Sequence, residues 1–157
     1  MLAAGTAALY VQTATNNVKG IAITTTAPQT GYAPVNGLNM YYEIHGTGQP
    51  LLLRHGAYMS IDSNWGQLLP TLATSRQIIA VELQGHGRTA DIDRPFAYDV
   101  LADDSAGLLR HLGIANADIF GYSLGGGVAL QLAVRHPQLV RKLVVASATY
   151  NSDGIYP

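Results

Sequence analysis

A chain of 157 residues with 48% hydrophobic and only 12% charged residues is long enough for one domain with a buried core, and too apolar to be disordered. Its 9 basic and 10 acidic side chains leave a formal net charge of −1 and no basic stripe, so a nucleic-acid partner has no electrostatic footprint. The absence of cysteine excludes disulfides, thiolate catalysis and Cys-based zinc sites, and no apolar run reaches the roughly 18–20 residues of a membrane span.

Residues 1–29 are rich in Ala and Thr, with an apolar stretch over 2–11, and read as a leader or a clipped signal-like segment. A secretory signal starts with positive charge, whereas the first basic residue here is Lys19, so cytoplasmic and exported locations both stay open. From 30 to 157 the pattern is regular. Segments 32–35 and 38–44 flank Asn36-Gly37, a dipeptide suited to the positive φ of a two-residue hairpin turn, which predicts an antiparallel pair at one sheet edge. Continuous apolar runs at 51–53, 78–81, 119–120 and 143–146 predict strands covered on both faces, as in a parallel sheet between helices.

Helical patterns fall between these strands. Trp65, Leu68, Leu69 and Leu72 share one helical face, with Pro70 either kinking the helix or marking its first turn. A second helix is expected over 100–112, N-capped by Asp99 and ended by Gly113, with Leu101, Ser105, Leu108 and Leu112 on one face. A third, over 124–135, is apolar almost all round and expected to be central, stopped by His136-Pro137. Hairpin followed by β-α-β-α-β-α-β is the order of an α/β fold with right-handed crossovers.

The chemistry gathers at strand ends. Gly121-Tyr122-Ser123-Leu124-Gly125 joins the strand at 119–120 to the third helix, the strand–turn–helix setting of a G-x-S-x-G nucleophile elbow. A tight turn pushes the Ser123 hydroxyl out of the sheet, and side chains two positions to either side would collide, hence Gly121 and Gly125. A dinucleotide-binding loop would need glycine where Ser123 stands. Acyl transfer also needs two N–H donors aimed at an oxyanion. Leu124, after the nucleophile, supplies one, and the His55-Gly56-Ala57 loop the other, from Ala57 with Tyr58 in reserve. Gly85-His86-Gly87-Arg88-Thr89 reads as a structural turn, and none of the histidines has a metal-ligand partner at useful spacing.

His55-Gly56, the Gly85–Thr89 turn and the elbow, in order after successive strands, resemble the α/β-hydrolase superfamily over residues 36–147. The serine at 123 places the resemblance in its esterase-like branch. It implies cofactor-free hydrolysis of a carboxylic ester or a similar acyl or C–C bond of a small molecule. Ser123 would attack, Ala57 and Leu124 would hold the oxyanion, and His55, Gly56, Tyr58 and Tyr122 would line the pocket. In this family the triad runs Ser, then Asp or Glu, then His. After Ser123 only His136, at a helix end, and Asp153, a conceivable triad acid, remain. The expectation is therefore an N-terminal part of the fold, lacking the triad acid and His, with an exposed sheet edge near 143–146 able to pair with another chain. A perhydrolase or haloperoxidase-like enzyme, or a non-catalytic binding module on the same fold, are the alternatives.

Overall fold

The continuous apolar runs form the middle of a sheet covered on both faces. A computed structural model describes residues 14–18, 21–25 and 27–149, so the apolar stretch at 2–11 and Asp153 lie outside the described residues. β1 (Ala14–Val18) and β2 (Ile21–Thr25) pair antiparallel in a two-stranded sheet. Six strands form the main sheet: β3 (Gln29–Val35), β4 (Leu38–His45), β5 (Gln49–Arg54), β6 (Arg76–Val81), β7 (Ala117–Tyr122) and β8 (Val140–Ala146). Their spatial order is β3-β4-β6-β5-β7-β8. β3 and β4 are the expected hairpin, turned at Asn36 and Gly37 with φ of 48° and 81°. That double positive φ is the geometry whose twist matches the flanking strands. β4 joins β6 antiparallel, and β6, β5, β7 and β8 run parallel.

Alternation inside each apolar run divides the core in two. Leu52, Ile79, Val81 and Ile119 face one layer with Leu101, Leu108, Val128 and Leu132. Leu51, Leu53, Ile78 and Ala80 face the other with Ile61, Trp65 and Leu69. The first layer is α3 (Tyr98–His111) and α4 (Leu124–Arg135), and the second is α1 (Ile61–Trp65) and α2 (Leu69–Leu72).

Three helix expectations need correction. The single helix through Trp65 and Leu72 is two short ones, with Pro70 in the first turn of α2, where its missing N–H has no partner to lose; Leu68, between them, is left exposed. α3 starts at Tyr98, so Asp99 is not its N-cap; its carboxylate accepts from the Val100 N–H inside the first turn at 2.9 Å. Gly113, at φ 68°, ends α3 as expected. α4 has the predicted bounds but is not buried all round. Gly125, Gly126, Val128, Ala129 and Leu132 are buried, while Val134 on the far side is 75% exposed, because α4 packs on β7, β8 and α3 along one stripe. Among the described residues, β8 closes one side of the sheet with Val144 exposed.

The connections position the site. From β5 the chain crosses to β6 on one side, then returns past β5 to β7 on the other. The carboxyl ends of β5 and β7 therefore flank a topological switch point, the place where open α/β sheets bind ligands. Arg54 and Gly121 are register partners there, so the His55-Gly56 loop and the Ser123 turn leave the sheet side by side.

Candidate active site

Ser123 sits between β7 and α4 at φ 50° and ψ −116°, a left-handed conformation that a side-chain-bearing residue adopts only under constraint. The constraint is visible. Its N–H donates to the Ala146 carbonyl at the end of β8 at 2.9 Å, and its own carbonyl accepts from Gly126 and Gly127 at 2.9 and 3.1 Å. A Cβ on Gly121 would collide with the backbone of Gly125, and one on Gly125 would collide with the carbonyls of Arg54 and His55. Both glycines are thus required by close backbone approach, as the elbow pattern predicts.

The facing loop is held by side chains. His55 is fully buried; its Nε2 accepts from the Leu83 N–H at 3.0 Å, which fixes the proton on Nδ1, and Nδ1–H donates to the Gly56 carbonyl at 2.8 Å. Burial pushes the ring pKa down to about 4, so it is neutral near pH 7. The Gly56 N–H donates to Asn64 Oδ1 of α1 at 2.8 Å, and the His55 carbonyl accepts from the Gly125 N–H at 3.1 Å, tying loop to elbow. Among the described residues, neither the Ala57 nor the Leu124 N–H has an acceptor. The first belongs to a peptide plane held at its carbonyl, and the second opens α4, whose N-terminal turn carries partial positive charge.

These placements alter two expectations. His55 does not line a pocket: both ring nitrogens are used by backbone and no part of it reaches solvent, so it lies under the loop. Tyr58, at φ 58°, projects wholly into solvent because the turn that carries it leaves the protein surface. Gly56 and Tyr122 do come together, since a Cβ on Gly56 would touch the Tyr122 ring at 3.0 Å and the Met59 sulfur at 3.4 Å. Met59 and Asn64 are site neighbours that no motif marked.

The Gly85–Thr89 turn is structural, as read. Gly85 and Gly87 have φ of 70° and 53°. Glu82, fully buried at the end of β6, accepts from the Arg88 backbone at 2.5 Å, from Arg88 Nη2 at 2.7 Å and from the Ile61 N–H at 3.3 Å. Burial alone would raise its pKa, but the Arg88 hydrogen bonds outweigh that and hold it below the usual carboxylate range. His86 donates from Nδ1 to the Gln84 carbonyl at 2.8 Å, and its ring lies tilted against that of His55 with centroids 5.0 Å apart. His136 lies at the opposite end of α4, twelve residues and about 18 Å from the elbow, where its Nε2 bonds Asp103 at 2.7 Å. A groove of about 590 Å³ lined by Gln29, Pro50, Gln77 and Asn116 opens at the amino ends of the parallel strands, the opposite end from the elbow. Among the described residues no cluster of three or more metal-ligating side chains occurs, and no helix is long and apolar enough to cross a membrane.

A mostly parallel sheet with helices on both faces and a strained serine at its switch point defines a class. The chain belongs to the alpha/beta hydrolase fold family, which it matches over residues 49–155. It is 42% identical over 103 residues to a 2-hydroxymuconate semialdehyde hydrolase of Pseudomonas sp. (strain CF600), covering 64% of this chain and 36% of that protein. Among solved structures, the epoxide hydrolase CorEH superposes with a TM-score of 0.74 at 31% identity, over 78% of this chain and 43% of its own. The meta-cleavage product hydrolase CumD, from Pseudomonas fluorescens IP01, does so with a TM-score of 0.72 at 31% identity, over 76% and 45%. The chain spans less than half the length of these relatives, all of which are hydrolases.

Proposed function

We propose that this chain carries the nucleophile and oxyanion hole of a cofactor-free serine hydrolase that cleaves a carboxylic ester or a similar acyl bond of a small molecule. The observation that carries the reading is Ser123 in a left-handed backbone conformation, flanked by two loops whose Ala57 and Leu124 N–H groups have no acceptor among the described residues. In this reading Ser123 Oγ attacks the substrate carbonyl carbon. The carbonyl electron pair moves onto oxygen, and the two N–H groups bind that oxyanion more strongly than the starting carbonyl. Collapse expels the alcohol and leaves an acyl-serine, which water then cleaves. His55 has both ring nitrogens on backbone groups, His111 and His136 lie at the far ends of α3 and α4, and among the described residues no histidine is hydrogen-bonded to Ser123. The reading therefore takes the Ser123 proton to a base outside the described residues. Tyr122 and Met59 beside Gly56 offer an apolar surface to the acyl group.

A second reading has the same serine attack a carbonyl whose C–C bond then breaks. It is favoured by the 42% identity to a 2-hydroxymuconate semialdehyde hydrolase. Rates on p-nitrophenyl acetate and on 2-hydroxymuconate semialdehyde, each with Ser123→Ala as control, test both. The ester reading expects cleavage of the acetate, reduced on the order of 10⁴-fold or more by the substitution. Ester cleavage retained in the variant removes it, and a much higher kcat/KM on the semialdehyde moves the function to C–C cleavage.

A further inference from the structure

We propose that Asn64 is a positioning residue of the oxyanion loop, holding the His55–Gly56 peptide, the plane next to the one that carries the Ala57 N–H, so that this N–H turns toward Ser123. The inference rests on the reading of Ser123 as nucleophile and goes beyond it in assigning a role to a side chain on α1. It follows from an account of every polar backbone group along His55-Gly56-Ala57. The His55 carbonyl accepts from Gly125 at 3.1 Å, the Gly56 N–H donates to Asn64 at 2.8 Å, and the Gly56 carbonyl accepts from His55 Nδ1 at 2.8 Å. Two successive peptide planes are thus pinned. The Gly56 carbonyl and the Ala57 N–H belong to one trans peptide and point in opposite directions, so pinning the first aims the second.

Glycine at 56 makes this pinning necessary. A Cβ there would press on the Tyr122 ring at 3.0 Å, and without one the backbone at 56 has the widest conformational freedom of any residue. Asn64 removes that freedom from a separate, well-anchored element. α1 is closed at its start by a reciprocal Ser60–Ser63 capping box, its Ile61 N–H is bound by Glu82, and Trp65 is buried edge-on against Phe120 with centroids 4.9 Å apart. Asn64 lies next to that buried tryptophan but is itself only half-buried. Water can therefore replace its oxygen when it is truncated, and its loss should move the loop more than it weakens the fold.

The test uses a fluorophosphonate, whose phosphoryl oxygen occupies the oxyanion position, on the wild-type chain, Asn64→Ala and Asn64→Asp. Inactivation kinetics give reversible capture and bond formation separately, and amide hydrogen exchange reads Gly56 directly. For Asn64→Ala the expectation is bond formation slowed about tenfold or more, below the full loss of one oxyanion donor, with reversible capture unchanged. Its Gly56 N–H should exchange about tenfold faster, for want of an acceptor, while the Tm falls by no more than about 4 °C. Asn64→Asp keeps an acceptor and should keep Gly56 protected. Unchanged bond formation in Asn64→Ala overturns the proposal, as does unchanged Gly56 exchange or a loss explained by global unfolding. Failure of the wild-type chain to label at Ser123 counts against the reading of the nucleophile instead. The clamp is then judged by Gly56 exchange alone, where a tenfold rise supports it and an unchanged rate overturns it.

Discussion

The two sides of the site reach their geometry by different means. At the elbow the backbone is shaped by exclusion: Gly121 and Gly125 leave room for carbonyls that any side chain would strike, and Ser123 is bent into place by the packing of β7, α4 and β8. At the facing loop the backbone is shaped by attachment, through His55 below it and Asn64 beside it. Exclusion is a property of the fold, so damage there unfolds the protein. Attachment is a property of a few hydrogen bonds, so damage there can spare the fold and still displace the loop.

Gly125→Ala should break the comparison at its strongest point. The added Cβ would lie 2.6 Å from the His55 carbonyl oxygen and closer still to that of Arg54, and backbone on both sides cannot give way. We expect a loss of about 3 kcal/mol or more in urea unfolding; a near-native midpoint would show that the elbow tolerates what its geometry forbids.

Acid sharpens the attachment side. The unfolded chain binds a proton at the His55 position near pH 6.5, whereas burial holds the folded ring near 4. The unfolded state therefore binds more protons between these values. Stability should be complete above about pH 6.5 and fall by about 2 kcal/mol on reaching about pH 4.5, and His55→Gln should flatten that slope. A wild-type stability that is level across this interval would mean that His55 is not locked under the loop.

The smallest effect belongs to a glycine that excludes nothing. Gly37, at φ 81° with open space around its missing side chain, should cost only about 1 kcal/mol on change to Ala. A cost equal to that of Gly125→Ala would erase the distinction between conformational freedom and close approach.

The same difference explains what the sequence could disclose. The elbow is local, five residues between a strand and a helix, and so are the Asn36-Gly37 turn and the Gly113 stop, where conformation is a property of the residue itself. The sheet order is not local: the runs at 51–53 and 78–81 look alike, and nothing in either says that β6 lies between β4 and β5. Asn64 carries no sequence signal, because a polar residue beside a buried tryptophan reads as helix surface and its acceptor role appears only once α1 is folded against Gly56. The sequence puts His55 on the loop but not the side its ring takes, since the Leu83 N–H that draws the ring inward is 28 residues away. Periodicity predicts one helix through Trp65 and Leu72 where the structure has two, because it shows which residues face the core, not where the backbone pauses.

The central claim, that this fold presents a nucleophilic serine beside two N–H groups with no acceptor among the described residues, is tested most directly by treating the purified protein with a fluorophosphonate probe and locating the adduct by peptide mass. The account predicts one adduct, on Ser123, that is absent from Ser123→Ala and suppressed when the protein is first unfolded in urea. No adduct on the folded protein, or an adduct equally abundant on other serines, would contradict it.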